Sequence, residues 1–262
     1  MAEISPSEPS FDLAGRTIIV TGGGKGIGKV YCRHLAAAGA RLIVADIDGE
    51  ASVEVAKEIV SKGGVAVAEP TDVSDEKAVG RMAEAAIEAF GRIDGLINNA
   101  ALMSELPRQP WHRIDVGEWD RVMAVNLRGM FLCCRAVYPQ MKKQGKGKIV
   151  NISSSRVWAG APDRLHYTTS KMGVVGLTRA LAREVGDDNI VVNAVAPGFT
   201  LSETQVATSS NEYLASKRND RRALKRAQVP EDLVGVVMFL LSDASNFMTG
   251  QTITVDGGHM MH

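Results

Sequence analysis

The chain has 262 residues, 45% of them hydrophobic and 23% charged, with 30 basic side chains against 30 acidic ones. Such a composition supports a sizeable core and excludes wholesale disorder, and the balanced charge gives no footing for nucleic acid or an anionic membrane surface. Three cysteines, Cys32, Cys133 and Cys134, are an odd count with an adjacent pair; they suit neither a disulfide framework nor a zinc site and read as small core residues in a reducing compartment.

The N-terminal stretch MAEISPSEPSFDLAG is polar and acidic, without the apolar centre of a signal peptide, and no later segment reaches transmembrane length. Residues 1–12 read as a disordered arm, residues 13–262 as one domain, and the setting as cytoplasmic. Strands and helices then alternate. RTIIVTG (16–22) is a short β-rich run, and 26–38 has helical apolar spacing. RLIVAD (41–46) is the next strand and 50–62 the next helix, followed by a strand within 65–73. An amphipathic stretch over 75–90 precedes the strand IDGLINNA (93–100). A long helix over 117–143 leads to GKIVNISS (147–154), and a second one runs to about Val185. NIVVNAVAPG (189–198) is a strand, 200–228 a polar segment, 231–241 a helix and TITVDGG (252–258) a last strand. The strands are continuous apolar runs, as expected of a parallel sheet buried on both faces. The pattern predicts an α/β fold: a doubly wound, Rossmann-like parallel sheet of about seven strands with helices on both sides.

Between the first strand and the first helix lies TGGGKGIG, Thr21 to Gly28. Glycines allow close backbone approach to a phosphate, and the helix start offers N–H donors and a favourable dipole. Asp46 ends the second strand, where a carboxylate can accept both hydroxyls of an adenosine ribose and repels a 2′-phosphate. It could instead cap the next helix, a role Asp48 could also fill. Lys25 in the loop would attract a 2′-phosphate, but the like-charge cost at Asp46 is more direct. The cofactor expected is NAD rather than NADP.

HYTTSK (166–171) places Tyr167 four residues before Lys171, on one helical face. A lone pair of this kind is a surface accident in most proteins. A lysine ammonium near a phenol nevertheless favours the phenolate, so Lys171 is expected to lower the pKa of Tyr167. Three serines, 153 to 155, precede this segment, and alternation along a strand would put Ser154 opposite Ser153 and Ser155.

With TGxxxGxG, NNA (98–100) and the YxxxK of Tyr167 and Lys171 in place, the chain resembles the short-chain dehydrogenase/reductase family. The resemblance spans residues 13–258 and extends to TDV (71–73), Asn126, a serine ahead of YxxxK, PG (197–198) and VDGG (255–258). It implies an NAD(P)-dependent oxidoreductase with Ser154, thirteen residues before the tyrosine, as the serine that holds the substrate oxygen. Tyr167 would be the general acid/base, Lys171 would hold the nicotinamide ribose, and Asn126 would bind a water leading from the lysine to solvent. The resemblance places the cofactor against Thr21, Gly22, Gly24, Lys25, Gly26, Ile27 and Gly28, against Asp46 and Ile47, and against Asp72 and Val73 at the adenine. Further contacts would come from Asn99, Ala100 and Ala101, where the usual NNAG reads NNAA, then from Pro197, Gly198, Thr200 and Ser202, and from Tyr167 and Lys171.

The substrate would meet the segments after NNA, between serine and tyrosine, and after PG. The second of these is basic and aromatic, and Ser154, Arg156, Trp158, Arg164, His166 and Tyr167 are its candidate substrate contacts, in keeping with an anionic or oxygen-rich substrate. No metal is expected. The segment after PG reads as a movable lid. The functions in contention are an NAD-dependent dehydrogenase of a small-molecule secondary alcohol (a sugar, cyclic or aryl alcohol), an NADPH-dependent 3-oxoacyl-thioester reductase, and a non-catalytic nucleotide-binding protein. The resemblance also implies a homotetramer that pairs the long helices; Val122, Met123, Met130, Phe131 and Val137 form a wide apolar arc on one of them.

Overall fold

The computed structural model describes residues 10–208 and 221–261. TIIVT forms β1 (Thr17–Thr21), buried at all five positions, because the β-branched run is covered on both faces. Around it lie β2 (Arg41–Asp46), β3 (Val65–Pro70), β4 (Gly95–Asn98), β5 (Gly147–Ile152), β6 (Ile190–Pro197) and β7 (Thr252–Val255). Among the described residues these make one parallel sheet in the order β3-β2-β1-β4-β5-β6-β7.

Alternation along β1 divides the core. Ile18 and Val20 pack with α1 (Gly26–Ala37), α2 (Gly49–Ser61) and the helix Val234–Leu241. Ile19 faces the opposite cluster, under the helices α3 (Glu76–Phe90), α5 (Gly129–Gln144) and α7 (Leu165–Glu184). Asp48 and Asp75 cap α2 and α3 by accepting from Ala51 N and Lys77 N. The three cysteines are buried within these two clusters.

The helix expected over 117–143 is observed with an internal change of pitch. It runs as α4 (Val116–Met123), a π turn over Ala124–Arg128, and then α5. The π turn carries Asn126; such turns widen a helix locally and cluster at functional sites. Of the expected apolar arc, Val122, Met130 and Val137 are buried inside the subunit, whereas Phe131 is 49% exposed. Most of that arc therefore serves the subunit's own core. The strand expected to run to residue 154 stops at Ile152. Alternation then no longer sorts the three serines, since extended geometry ends before them.

The arm expected over 1–12 falls mostly outside the described residues. Ser10 accepts a hydrogen bond from Ala244 N (3.1 Å), and the Phe11 ring centre lies 6.2 Å from that of Phe239. Among the described residues no helix is long and apolar enough to cross a membrane. The chain leaves β1 for β2 in one direction and reaches β4 on its other side, so a crevice opens at the carboxyl ends of β1 and β4.

Candidate active site

A cleft of about 980 Å³ occupies that crevice. At one end the glycine turn is fixed by its neighbours. Thr21 Oγ1 accepts from the amides of Asn99 and Ala100, and Asn99 Nδ2 donates to the carbonyls of Thr21 and Gly22. A Cβ at Gly28 would sit 2.0 Å from the Gly22 carbonyl oxygen, and one at Gly22 would sit 2.9 Å from Ala100 Cα. Gly26, with φ +55°, begins α1. Its N–H donates to the Glu203 carboxylate at 3.1 Å, so an anion already lies where the dipole favours one. Backbone approach without side chains, plus an anion at the helix start, fits a dinucleotide's diphosphate.

Asp46 lies on the wall of the same cleft. One of its carboxylate oxygens accepts from Gly24 N (2.9 Å), and the other accepts from Asp48 N (3.0 Å). Each oxygen keeps a lone pair for a ribose hydroxyl. The cap of α2 belongs to Asp48, which leaves Asp46 for the cleft. Lys25, which could have met a 2′-phosphate, is drawn to Asp48 at 2.6 Å. Ile47, Asp72 and Val73 line the wall beyond Asp46. Gly24, Ala101, Pro197, Gly198, Thr200 and Ser202 were also expected at the cofactor. All except Gly24 line the cleft; Gly24 stands behind it, its amide on Asp46.

At the other end, Ser154, Tyr167 and Lys171 share one wall. Ser153 turns its hydroxyl away, onto the Lys171 carbonyl (2.8 Å), and Ser155 is buried at the start of the short helix α6 (Arg156–Ala159). The Ser154 hydroxyl pulls the Tyr167 phenol toward a lower pKa, and it also accepts from Arg156 N at 3.3 Å. Lys171 Nζ donates to the Ile152 carbonyl at 2.7 Å and lies 5.9 Å from the centre of the Tyr167 ring. Asn126 is fully buried; its Nδ2 donates to Ser170 Oγ and the Leu102 carbonyl, and its Oδ1 accepts from Leu102 N.

The expected depression of the Tyr167 pKa is not what this arrangement produces on its own. Burial pushes the phenol up, and the opposing pulls come from Ser154, Arg156 and Arg164. Lys171 is itself so buried that its own pKa falls to about 7. An amine that readily gives up its proton is a weak source of positive field.

Two further expectations fail on orientation. His166 does not reach the cleft: it is wholly buried, with Nε2 3.0 Å from the Glu118 carboxylate of α4. It neighbours Tyr167 in sequence, but a helix sends adjacent side chains about 100° apart. Trp158 also turns away, and its indole N–H donates to Thr254 Oγ1 of β7 (3.2 Å). Arg156 and Arg164 do line the cleft. Two contributors escaped the sequence reading. Glu203 begins the short helix α8 (Glu203–Thr208), in a segment without periodic pattern. Arg222 falls in the polar segment read over 200–228, yet it is buried and donates to the Phe199 carbonyl at 2.6 Å. The rest of the expected lid, residues 209–220, lies outside the described residues.

A family model described as enoyl-(acyl carrier protein) reductase matches residues 22–260. The chain is 39% identical over 257 residues to the "Probable galactose dehydrogenase GalD" of Rhizobium meliloti (strain 1021), covering 97% of this chain and 98% of that one. It is 36% identical over 252 residues to a 3-oxoacyl-[acyl-carrier-protein] reductase of Synechocystis sp., covering 95% and 98%. A solved structure of a "putative NAD(P) dependent gluconate 5-dehydrogenase from Beutenbergia cavernae", with NADP bound at low occupancy, matches with a TM-score of 0.87 and 37% identity, covering 95% of this chain and 98% of that one.

Proposed function

The chain belongs to the short-chain dehydrogenase/reductase family, and on that premise we propose that it is an NAD-dependent oxidoreductase working between a secondary alcohol and its ketone. The observation that carries this reading is one cleft with the glycine cradle and Asp46 at one end and Ser154, Tyr167 and Lys171 at the other. Sugars and sugar acids are the substrates that the names of the similar proteins suggest.

Bound NAD would supply the hydride acceptor and a positive ring charge next to the phenol. The protein's part is to hold the alcohol and move its proton. Ser154 donates a hydrogen bond to the substrate oxygen, which steadies the charge developing there. Tyr167, as phenolate, takes the hydroxyl proton onto its phenolic oxygen; in the reverse direction the phenol returns it. Arg156 and Arg164 favour the phenolate against the cost of its burial. Lys171, anchored on the Ile152 carbonyl, holds the nicotinamide ribose. Asn126 positions the π turn by bracing Leu102 and Ser170, next to the water path implied by the resemblance. Asp46 selects NAD by repelling a 2′-phosphate.

A 3-oxoacyl-thioester reductase using NADPH is the second reading, favoured by the Synechocystis relative. Asp46 argues against it, as does the pairing of Lys25 with Asp48. The complete serine–tyrosine–lysine set disfavours a non-catalytic role. We place the enzyme in the cytoplasm, in keeping with three buried free thiols, and as a homotetramer. Exposed Phe131 on α5 and exposed Leu165 and Met172 on α7 support helix pairing between copies. A subunit-sized mass in light scattering at micromolar concentration would contradict that assembly.

The test of the activity is a panel of sugars, sugar acids, cyclic alcohols and aryl alcohols assayed with NAD and with NADP. Oxidation is expected with NAD. In Tyr167→Phe, turnover is expected to fall by about 10²–10⁴-fold, the loss typical of a positioned acid–base group, while NAD binding survives. A Tyr167→Phe enzyme with near-normal turnover would overturn the mechanism.

A further inference from the structure

Tyr167 sits in the first turn of α7, and that turn lacks the usual devices that hold a helix start. The N-cap residue, Arg164, makes no side-chain cap, and the first turn carries no acidic residue. A helix start without a cap leaves amides unpaired and frays. One residue earlier, Asp163 has φ +72°, a left-handed conformation that persists only where its surroundings impose it. A proton-transferring phenol placed there needs support from outside its own helix.

That support comes from α4 and from the loop after NNA. His166 is wholly buried, and its Nε2 lies 3.0 Å from Glu118 Oε1. The same oxygen accepts from Gln109 Nε2 at 2.9 Å, and Gln109 N donates to the Asp163 carbonyl at 3.2 Å. One carboxylate oxygen thus ties α4, the loop and α7 together. Val122, one turn beyond Glu118 on α4, packs with Leu106 and the Tyr167 ring. Adjacent residues of α7 are therefore held by one face of α4, His166 through a polar contact and Tyr167 through an apolar one. Apolar packing accepts several near-equal arrangements, whereas a satisfied polar contact specifies one.

We propose that His166 and Glu118 are positioning residues for Tyr167: their buried contact sets the first turn of α7 against α4 and keeps the phenol on the wall it shares with Ser154. This rests on Tyr167 being the acid/base residue of the reading above. Neither residue touches the substrate; both act through the tyrosine.

Two variants of the full-length enzyme test it. A single leucine would strand a buried polar partner, so both ends are replaced together, as His166→Leu with Glu118→Leu, an exchange that preserves folding more often than a single break does. Glu118→Gln keeps an oxygen that can accept from His166 and Gln109. In the double variant, kcat per NADH-binding site is expected to fall about ten- to a hundredfold, the loss that a displacement of about 1 Å causes, with KM for NAD unchanged. Glu118→Gln should retain most of the wild-type kcat. Hydrogen exchange in the NADH complex gives a readout that needs no substrate. The amides of residues 168–171, which bond to the first-turn carbonyls, should exchange at least about tenfold faster in the double variant, with the central strands unchanged. Wild-type turnover per site in the double variant overturns the proposal, as does exchange that is unaltered or accelerated equally throughout the sheet. If the wild type oxidises no alcohol of the panel, the dehydrogenase reading fails on its own, and exchange decides the inference. Acceleration confined to the first turn and absent in Glu118→Gln then upholds it, and any other pattern overturns it.

Discussion

On the nucleotide side of the cleft the contact surface is backbone. Gly22 and Gly26 present amides and carbonyls, Gly28 packs closely against Gly22 behind them, and the side chains of Thr21, Asn99 and Asp46 spend much of their hydrogen bonding on holding that backbone still. On the substrate side the surface is long side chains, Arg156, Arg164 and Arg222, tethered to carbonyls of neighbouring loops. A backbone surface has no room for substitution, because a single Cβ fills it. A side-chain surface can be rewritten one residue at a time, with the scaffold unchanged. The first kind therefore fixes what a fold binds in common across its uses, and the second sets what each member acts on.

The contrast breaks most sharply at Gly28. Gly28→Ala places a methyl 2.0 Å from the Gly22 oxygen. NAD affinity should drop more than about a hundredfold, roughly 3 kcal/mol, whereas Arg156→Gln should leave it within about twofold. Calorimetric titration with NAD measures both, and similar losses in the two variants would erase the distinction.

Lys171 comes next, since it belongs to both halves. Its pKa is depressed to about 7 in the folded protein against 10.5 ordinarily. Between those values the unfolded chain binds the proton and the folded one does not, so this group makes stability rise with pH, from a full penalty below pH 7 to none above 10.5. Lys171→Met should therefore stabilise the cofactor-free protein most at pH 7 and below. The difference from wild type should narrow by at most about 1.4 kcal/mol per pH unit as pH climbs to 10.5. Denaturant unfolding at a series of pH values follows it, and a pH-independent difference would mean the amine stays charged throughout.

Asp46 tests whether a side chain alone can tune the backbone half. Asp46→Ala should shift the ratio of NAD to NADP efficiency toward NADP by about tenfold or more, roughly 1.4 kcal/mol. A wild type already selective for NADP would refute this role. The smallest effect expected is at Glu203, whose carboxylate sits on Gly26 N. Glu203→Gln should tighten NAD binding about two- to fivefold, matching the roughly 0.3–1 kcal/mol of a charge at a helix N-terminus. Weaker NAD binding in that variant would show that Glu203 assists the cofactor rather than competing with it.

The same contrast explains what could be read from the sequence. The succession of strands follows from continuous apolar runs that alternate with helical segments, and the cradle follows from glycines whose spacing only a close backbone approach requires. Asp46 was legible because it ends a strand. Side-chain direction was not. His166 and Trp158 share their segment with Arg156 and Arg164, yet they turn to Glu118 and Thr254 instead of the cleft. Short helices and loops carry no period from which that choice can be read. The π turn at Asn126 was invisible for a related reason: one extra residue per turn leaves the apolar pattern of a long helix nearly intact. The tyrosine's pKa was misjudged because spacing gives proximity but not burial, and burial dominates both Tyr167 and Lys171.

The placement of β1 also has a consequence in time. Its neighbours are β2, which follows it closely, and β4, paired through Ile18 and Gly95. At synthesis rates of roughly 5–20 residues per second, some 4–15 s separate the emergence of β1 from that of β4. Through that interval β1, β2 and β3 can pair with one another, while the far side of β1 shows unpaired amides and carbonyls on an apolar strand. Such a surface templates pairing with other chains. The growing N-terminal third is thus the stretch most in need of shelter by a chaperone, and a strand that ends in the interior of the finished sheet spends those seconds as its edge.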